Sequence, residues 1–214
     1  MCGITGILQL DGSVPSKPIL EKMTRTLVHR GPDGEGFYIK GPIGLGHRRL
    51  SIIDLSSAGA QPMCNEDRSI WITYNGEIYN FMDIRLLLQS HGHVFSSQTD
   101  SEVIVHAYEE WGVDCLQKFN GMFAFGLWDA KKDILWLVRD RLGVKPLFYC
   151  QMQNAILFGS EIKSILAHPQ VRRQVDVQAL AYFLGLNYTP APFTLFMQVR
   201  QVLPGNYLIA DSNG

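Results

Sequence analysis

Short apolar runs joined by polar turns are the feature of this sequence that most limits its fold. Met122–Trp128 and Ile134–Val138 flank one such turn, and Leu147–Cys150 and Ala155–Phe158 flank another. Pairs of this kind predict β-hairpins, and hairpins join antiparallel strands. The sequence therefore favours antiparallel sheets with helices packed outside them over a doubly wound parallel sheet.

Further elements surround the two hairpins. Apolar periodicity predicts strands at 2–10, 37–39, 44–49 and 70–74, and residues 202–209 are predicted to form a turn and a last strand. It predicts helices at 17–28, 80–88, 99–112, 161–166 and 176–184. Asn80 is expected to cap one helix, and Thr99-Asp-Ser-Glu102 has the pattern of a capping box.

Composition excludes several classes of protein. The 214 residues carry 19 Lys+Arg and 20 Asp+Glu, a formal net charge of −1, so a broad basic face for nucleic acid is not expected. No apolar run is long enough to cross a bilayer. The first residues are apolar, but no basic residue precedes them and Asp11 interrupts the apolar run early. A signal peptide has a basic start and a longer apolar segment. We expect a cytoplasmic protein that binds neither membranes nor nucleic acid.

The cysteines and histidines do not suggest a metal centre. Cys64, Cys115 and Cys150 have no C-x-x-C partner, so we expect them in or near the core rather than in a zinc ribbon or disulfide framework. His91-Gly-His93 is interpreted as a polar turn after a helix rather than a ligand pair. No phosphate loop, dinucleotide fingerprint or G-x-S-x-G elbow occurs.

Cys2 stands apart because of its position. Removal of the initiator Met1 would leave a cysteine at the N-terminus, whose α-amine has an ordinary pKa of roughly 7.7–8.0. That amine can accept the thiol proton, since the thiol pKa of about 8.5 is close to it. On position alone, an accidental second-position cysteine is the commoner explanation.

Three further segments suggest substrate chemistry. Arg49, at the end of a strand, can bind a carboxylate through two hydrogen bonds. Asn75-Gly76 offers a side-chain amide and an unhindered N–H, which together can hold an oxyanion. Asp100, in the first turn of a helix, can bind an ammonium group. Taken singly, Arg49 would more often be a surface arginine, and an Asn-Gly pair is more often just a hairpin turn. Asp100 could simply interact favourably with the helix dipole.

The ordered motifs resemble those of a known family. They are Cys2-Gly-Ile-Thr-Gly6, His29-Arg-Gly-Pro-Asp33, His47-Arg-Arg-Leu-Ser-Ile-Ile-Asp54, Gly59-Ala-Gln-Pro62, Tyr74-Asn-Gly-Glu-Ile-Tyr-Asn80, Thr99-Asp-Ser-Glu102, Asn120-Gly-Met-Phe-Ala-Phe125, Arg139-Asp-Arg-Leu-Gly-Val-Lys-Pro146, Gly159-Ser-Glu-Ile-Lys163 and Leu203-Pro-Gly-Asn206. The chain is similar throughout to the glutaminase domain of glutamine-hydrolysing asparagine synthetases. These are class II, N-terminal nucleophile amidotransferases. It resembles glucosamine-6-phosphate synthases and phosphoribosylpyrophosphate amidotransferases less.

The resemblance implies a fold and an activity. It implies an α+β fold, a four-layer αββα sandwich of two antiparallel sheets that forms one amidotransferase domain over residues 1–214. The activity would be hydrolysis of the side-chain amide of L-glutamine to glutamate and ammonia, and the ammonia would pass to an ATP-dependent synthetase domain that amidates aspartate.

The resemblance also assigns roles to single residues. Cys2 would be the nucleophile, and Asn75 with the Gly76 N–H would hold the oxyanion. Arg49 would bind the α-carboxylate of glutamine, while Asp100 and Glu77 would help to bind its α-ammonium. Backbone groups of the segment after Arg49 would line the pocket: Leu50, Ser51, Ile52 and Ile53.

The synthetase half of the family pattern does not occur in the sequence. The family's Ser-Gly-Gly-x-Asp-Ser loop for ATP is missing, so no cofactor is expected in this chain, and ATP with Mg²⁺ would bind in a separate domain. Ala210-Asp-Ser-Asn-Gly214 contains no further helix, which we interpret as a fragment rather than a stand-alone subunit. A homodimer is possible. Two alternatives are a different acceptor, such as a sugar or peptide carboxylate, and a non-catalytic regulatory domain.

Overall fold

Two antiparallel sheets form the centre of the computed structural model, which describes residues 1–54 and 56–211. The strands, in chain order, are β1 (Gly3–Gln9), β2 (Gly34–Lys40), β3 (Ile43–Arg49), β4 (Met63–Cys64), β5 (Ile70–Ile78), β6 (Gly121–Asp129), β7 (Ile134–Arg139), β8 (Phe148–Gln151), β9 (Ala155–Gly159), β10 (Arg200–Gln201) and β11 (Tyr207–Ala210). One sheet has the order β10-β8-β9-β1-β3-β2, and the other has the order β11-β7-β6-β5-β4. Every strand pairing is antiparallel, as predicted.

Helices cover the outer faces of both sheets. In chain order, the helices of the described residues are α1 (Lys17–Arg25), α2 (Phe81–Ser90), α3 (Asp100–Trp111), α4 (Cys115–Lys118), α5 (Ile162–Leu166) and α6 (Val177–Leu186). No helix in the described part of the chain has the length and apolar character needed to span a membrane.

Apolar side chains fill three spaces between four layers. Leu45 of the first sheet and Leu137 of the second lie in the space between the sheets. Leu20 of α1 packs with α5 on the outer face of the first sheet. Ile104 of α3 packs with α2 on the outer face of the second sheet. The predicted αββα sandwich is therefore confirmed.

Three details differ from the sequence prediction. Asn75 and Gly76 lie inside β5 rather than after it, because β6 pairs with β5 as far as Ile78. Asn80 precedes α2 but does not cap it with its side chain, which instead binds backbone groups of the segment before β6. The first helix ends at Arg25, three residues earlier than predicted.

The capping box before α3 is only half formed. Thr99 accepts a hydrogen bond from the N–H of Glu102, as a capping residue does. The carboxylate of Glu102 does not return to Thr99; it accepts hydrogen bonds from the N–H groups of Ser96 and Ser97, both at 2.7 Å. Glu102 thereby fastens the segment before α3 to the helix.

Of the three cysteines predicted to be core residues, two are fully buried. Cys115 and Cys150 are 0% exposed, whereas Cys64 is only partly buried because it lies on β4 at the edge of its sheet. The segment from Ala210 to Gly214 is interpreted as the end of a fragment, and residues 212–214 of it lie outside the described residues.

Candidate active site

A cavity of about 160 Å³ opens where the two sheets bring several strand ends together. The first residues of the chain, the end of β3, the outer half of β5 and the start of α3 all contribute to its wall. Its size suits a small metabolite rather than a larger ligand. The lining residues with chemical groups of interest are Cys2, Arg49, Asn75, Gly76, Glu77, Asp100 and Lys145.

Strand pairing places Cys2 beside Arg49. Gly3 of β1 is opposite Arg48 of β3, so the preceding residue of one strand faces the following residue of the other. The Leu50 N–H donates to Cys2 Sγ at 3.4 Å, and Sγ lies 3.6 Å from the Leu50 carbonyl. Burial raises the pKa of the Cys2 thiol, although the contact with Leu50 and the adjacent α-amine oppose this effect. The thiol therefore needs a base before it can react.

Two cations surround the N-terminal residues. Arg30 Nε donates to the Cys2 carbonyl at 2.9 Å and Nη1 binds Glu161 at 3.0 Å, which holds the start of β1 in place. Lys145 is 4% exposed, and its Nζ lies 3.3 Å from Met1 Sδ. Burial lowers the pKa of the Met1 α-amine, and the charges of Arg30 and Lys145 lower it further. An amine with a lowered pKa is neutral at a lower pH and can act as a base there.

Asn75 and Gly76 face the cavity from β5. Asn75 is 1% exposed, and its Nδ2 is buried without a hydrogen-bond partner. An unpaired buried amide is costly, so its donors are available for a ligand. A Cβ atom on Gly76 would lie 2.5 Å from the Met122 carbonyl oxygen of β6, so glycine is required at this strand position.

The Gly76 N–H points towards the open edge of β5. On this edge, Tyr74 N donates to Gln61 and Ile78 N donates to Asp100. Successive N–H groups along a strand point to opposite edges, so those two residues apart point to the same edge. The N–H of Gly76 therefore points to the same edge as those of Tyr74 and Ile78. In the described residues β4 pairs with β5 no further than Ile72, so this stretch of edge is not covered by a strand.

Asp100 is fixed by two hydrogen bonds. Its Oδ2 accepts from the Tyr74 hydroxyl at 2.5 Å and from Ile78 N at 3.0 Å. Burial raises the pKa of this carboxyl, while both hydrogen bonds favour its ionised form. As the first residue of α3, Asp100 also lies at the positive end of the helix dipole. A buried, oriented carboxylate of this kind can bind an ammonium group.

Arg49 lines the cavity, but its guanidinium already has partners. Nη1 donates to the Ser56 carbonyl at 2.8 Å, and Nη2 donates to the Asp54 carbonyl. Gly59 packs directly against the guanidinium, where a side chain would clash. Two of the five N–H donors of Arg49 are therefore already bonded, and three remain for a substrate carboxylate.

Most of the predicted site residues meet at the cavity. Leu50, Ile52 and Ile53 line it, and so does the exposed Glu77. Ser51 does not line it; its N–H instead donates to Asp33 at 2.9 Å and holds the loop after β3. The roles assigned to these residues stay predictions.

Sequence reasoning did not single out three contributors to the site. Tyr74 orients Asp100, Arg30 holds the Cys2 carbonyl and Lys145 supplies a buried charge. Each belongs to a quoted motif, but neither residue type nor spacing indicates that Arg30 and Lys145 converge on Cys2, since Lys145 lies 143 positions away in sequence.

A comparison with family models decides to which family the chain belongs. The model described as "Glutamine amidotransferase domain" matches residues 1–214. The chain is a glutamine amidotransferase domain. The family predicted from the sequence motifs is therefore confirmed.

Curated relatives of this amidotransferase domain include asparagine synthetases. It is 41% identical over 218 residues to asparagine synthetase [glutamine-hydrolyzing] 3 of Bacillus subtilis (strain 168), with 100% of this chain and 35% of the relative covered. It is 37% identical over 231 residues to a putative asparagine synthetase of Methanocaldococcus jannaschii, with 99% of this chain and 44% of the relative covered. The domain thus spans between a third and a half of the length of these relatives.

Solved structures share the fold of the amidotransferase domain. The phosphoribosylpyrophosphate amidotransferase from B. subtilis, complexed with ADP and GMP, superposes with a TM-score of 0.72 at 20% identity. The match covers 100% of this chain and 48% of that structure. At this identity the likeness supports the αββα architecture alone.

Proposed function

We propose that this domain hydrolyses the side-chain amide of L-glutamine to glutamate and ammonia. The observation that carries the proposal is the buried Asn75 Nδ2, which has no partner and lines the same cavity as the Cys2 thiol. An unpaired donor beside a nucleophile is what a developing oxyanion requires. Family membership supports the choice of an amide as the group attacked.

The first chemical step is attack by Cys2 on the amide carbon. The α-amine of Cys2, freed by removal of Met1, accepts the thiol proton as the sulfur–carbon bond forms. The carbonyl oxygen becomes an oxyanion, to which Asn75 Nδ2 and the Gly76 N–H donate. The protonated amine then gives its proton to the leaving nitrogen, ammonia departs and a γ-glutamyl thioester remains.

The second step is hydrolysis of the thioester. The same amine takes a proton from water as the water oxygen attacks the thioester carbon, again with the oxyanion held by Asn75 and Gly76. The carbon–sulfur bond breaks, the thiol is restored and glutamate leaves. No metal or other cofactor takes part in either step.

The charges around the cavity suit an α-amino acid. Asp100 and Glu77 present negative charge to the α-ammonium group, while Arg49 presents positive charge to the α-carboxylate. Because the hydrogen bonds of Arg49 to Ser56 and Asp54 compete with a ligand, we propose that glutamine binding redirects this side chain.

The acceptor of ammonia is proposed from the relatives. The names of several curated relatives specify asparagine synthetase, so we propose that this domain supplies an ATP-dependent domain that amidates aspartate. The four cysteines are all free, which supports a cytoplasmic location. A homodimer stays a prediction.

Glutamate release by the purified chain tests the proposal. We expect turnover without ATP, stoichiometric labelling of Cys2 by 6-diazo-5-oxonorleucine, and loss of both in Cys2→Ala. Cys64→Ala is a matched control, because its thiol lies outside the cavity. Absence of turnover and labelling in reduced protein that begins at Cys2 would favour the non-catalytic alternative.

A further inference from the structure

A cluster of two histidines and a glutamate lies towards the end of α3 that is remote from the cavity. His93 Nδ1 is 3.2 Å from His106 Nδ1, and His106 Nδ1 is 2.9 Å from Glu109 Oε2. All three atoms lie within 4.8 Å of one another. His106 is 2% exposed and His93 is partly buried. None of the three residues lines the catalytic cavity, and Asp100 lies about 9 Å from His106 along the helix axis.

Carboxylates face the outer nitrogen of each imidazole. His93 Nε2 lies 3.3 Å from Glu110 Oε2. His106 Nε2 lies 3.9 Å from carboxylate oxygens of both Glu102 and Glu66. The contact with Glu110 favours the tautomer of His93 that carries hydrogen on Nε2, which leaves its Nδ1 lone pair facing His106. Glu109 faces Nδ1 of His106, so without an ion a proton on this atom is shared with Glu109, and an ion bound there would take the place of that proton. Histidines that bind metals are oriented in this way by carboxylates on their outer nitrogens.

The carboxylate of the cluster is oriented as well. Asn65 Nδ2 donates to Glu109 Oε1 at 2.8 Å, and this contact turns Oε2 towards the histidines. His106 and Glu109 are three positions apart on α3, a spacing that puts both side chains on one helix face. His93 approaches the same point from the segment that connects α2 to α3.

The two distances from His106 Nδ1, to His93 Nδ1 and to Glu109 Oε2, suit ligands around one ion. Ligand atoms at about 2.1 Å from a tetrahedral ion lie roughly 3.4 Å apart, close to the 3.2 Å and 2.9 Å found here. Two facing lone pairs and a carboxylate oxygen repel one another unless a cation or a shared proton lies between them. Two imidazoles and one carboxylate suit zinc and other divalent transition metals.

We propose that His93, His106 and Glu109 form a binding site for a divalent transition metal such as Zn²⁺, with a fourth position open to water. The ion would fasten the connection before α3 to the helix that carries Asp100 at its other end. The site would stabilise the domain, and it takes no part in glutamine hydrolysis.

Titration of the full chain with Zn²⁺ tests this proposal. The experiment uses a Cys2→Ala background, so that the Cys2 thiol of the cavity does not bind the ion. Isothermal titration calorimetry gives stoichiometry and affinity. We expect one equivalent to bind and the melting temperature to rise, with EDTA reversing the rise. His93→Gln and Glu109→Gln should each weaken binding at least tenfold.

His91→Gln is the matched control. His91 lies on the same turn and binds Glu110 at 2.7 Å, but its ring is not among the three converging ligands. Its substitution should leave Zn²⁺ affinity within about threefold. The proposal is overturned by absence of stoichiometric binding, which would leave a shared proton in the cluster. It is also overturned if binding survives His93→Gln or is lost equally in His91→Gln.

Discussion

At the scale of single residues, the unpaired amide of Asn75 is the clearest indication of a chemical function. A side chain that is 1% exposed and leaves a donor unbonded destabilises the folded domain until a ligand accepts that hydrogen bond. Asn75→Ala should lower kcat for glutamine hydrolysis about 10²–10³-fold with a smaller change in KM, because the donor acts on the oxyanion rather than on the substrate. Steady-state kinetics measure the changes in kcat and in KM separately.

Asn80→Ala provides the control for that loss. Asn80 lies near Asn75 in sequence, but its amide binds backbone atoms of Lys118 and Asn120 outside the cavity. Its substitution should lower the free energy of unfolding by about 0.5–1.5 kcal/mol and leave kcat nearly unchanged. An equal fall in kcat for both variants would contradict the role proposed for Asn75.

Lys145 offers a second prediction, concerning pH. Burial lowers the pKa of the Met1 α-amine, and the charges of Arg30 and Lys145 lower it further. We expect the ammonium of Lys145 to act in the same direction on the α-amine of Cys2, the proposed base, once Met1 is removed. Lys145→Met keeps the bulk and removes the charge, so the amine pKa rises and the amine stays protonated to a higher pH. The acid limb of the kcat/KM profile should therefore move to higher pH in protein that begins at Cys2.

The exposed lysine Lys131 serves for comparison. It binds Asp67 at 2.6 Å on the surface, and it lines no part of the cavity. Lys131→Met should have the pH profile of the unaltered protein. A profile that stays fixed in Lys145→Met, with correct folding shown by circular dichroism, would mean that this charge does not act on the base.

At the scale of elements, the carboxylate of Glu102 holds the start of α3 to the segment before it through hydrogen bonds. Burial of Glu102 opposes its ionisation, but the nearby imidazole of His106 and hydrogen bonds from Ser96 and Ser97 lower its pKa to about 2. Because the folded-state pKa is below the unfolded value of about 4.3, ionised Glu102 stabilises the fold above that value. The contribution is lost as pH falls from there through 2.

Glu102→Gln should therefore be less stable than the unaltered domain by about 1–3 kcal/mol at pH 7. The difference should shrink between pH 5 and pH 2, and urea denaturation with EDTA present measures it. Glu21→Gln is the control, since its contacts with Lys17 and Arg25 are solvent-exposed pairs at 3.9 and 4.0 Å that contribute little. A difference that is constant with pH would show that Glu102 does not act through its charge.

Elements were largely predictable because local patterns govern them. The two hairpins, the helix after Thr99 and its end at Gly112 follow from apolar alternation and from turn and capping residues. The apolar pattern predicts that the strand ends at Tyr74, and an Asn-Gly pair is by itself typical of hairpin turns. Pairing with β6 extends β5 through both residues as far as Ile78. Such long-range pairing cannot be predicted from a short segment of sequence.

Within the active site, only the residues that belong to the family's motifs were predictable from the sequence. The family resemblance brings Cys2, Asn75 and Asp100 together before any coordinates are considered. It does not show that Ser51 turns away from the cavity or that Arg49 is bound to neighbouring carbonyls. Those facts depend on how the loop after β3 closes on itself, which is decided by contacts within the folded chain.

At the scale of the whole molecule, α6 has a largely uncovered apolar surface. Of its ten residues only Ala179 is buried, whereas Val177 and Leu184 are 72% and 73% exposed. A helix with so much apolar surface ordinarily packs against another element. Since curated relatives are two to three times as long as this chain, we expect α6 to contact the proposed acceptor domain.

Leu184→Ser tests that expectation, with Leu86→Ser as its control. Leu86 is 63% exposed on α2, which packs on the outer face of the second sheet, so both changes should leave the melting temperature of the 214-residue chain within about 2 °C. In a longer protein that includes the acceptor domain, Leu184→Ser should weaken the contact and release more ammonia into solution per product formed, whereas Leu86→Ser should not. The ratio of glutamate to amidated product measures this coupling, and an unchanged ratio in Leu184→Ser would place the contact on another surface.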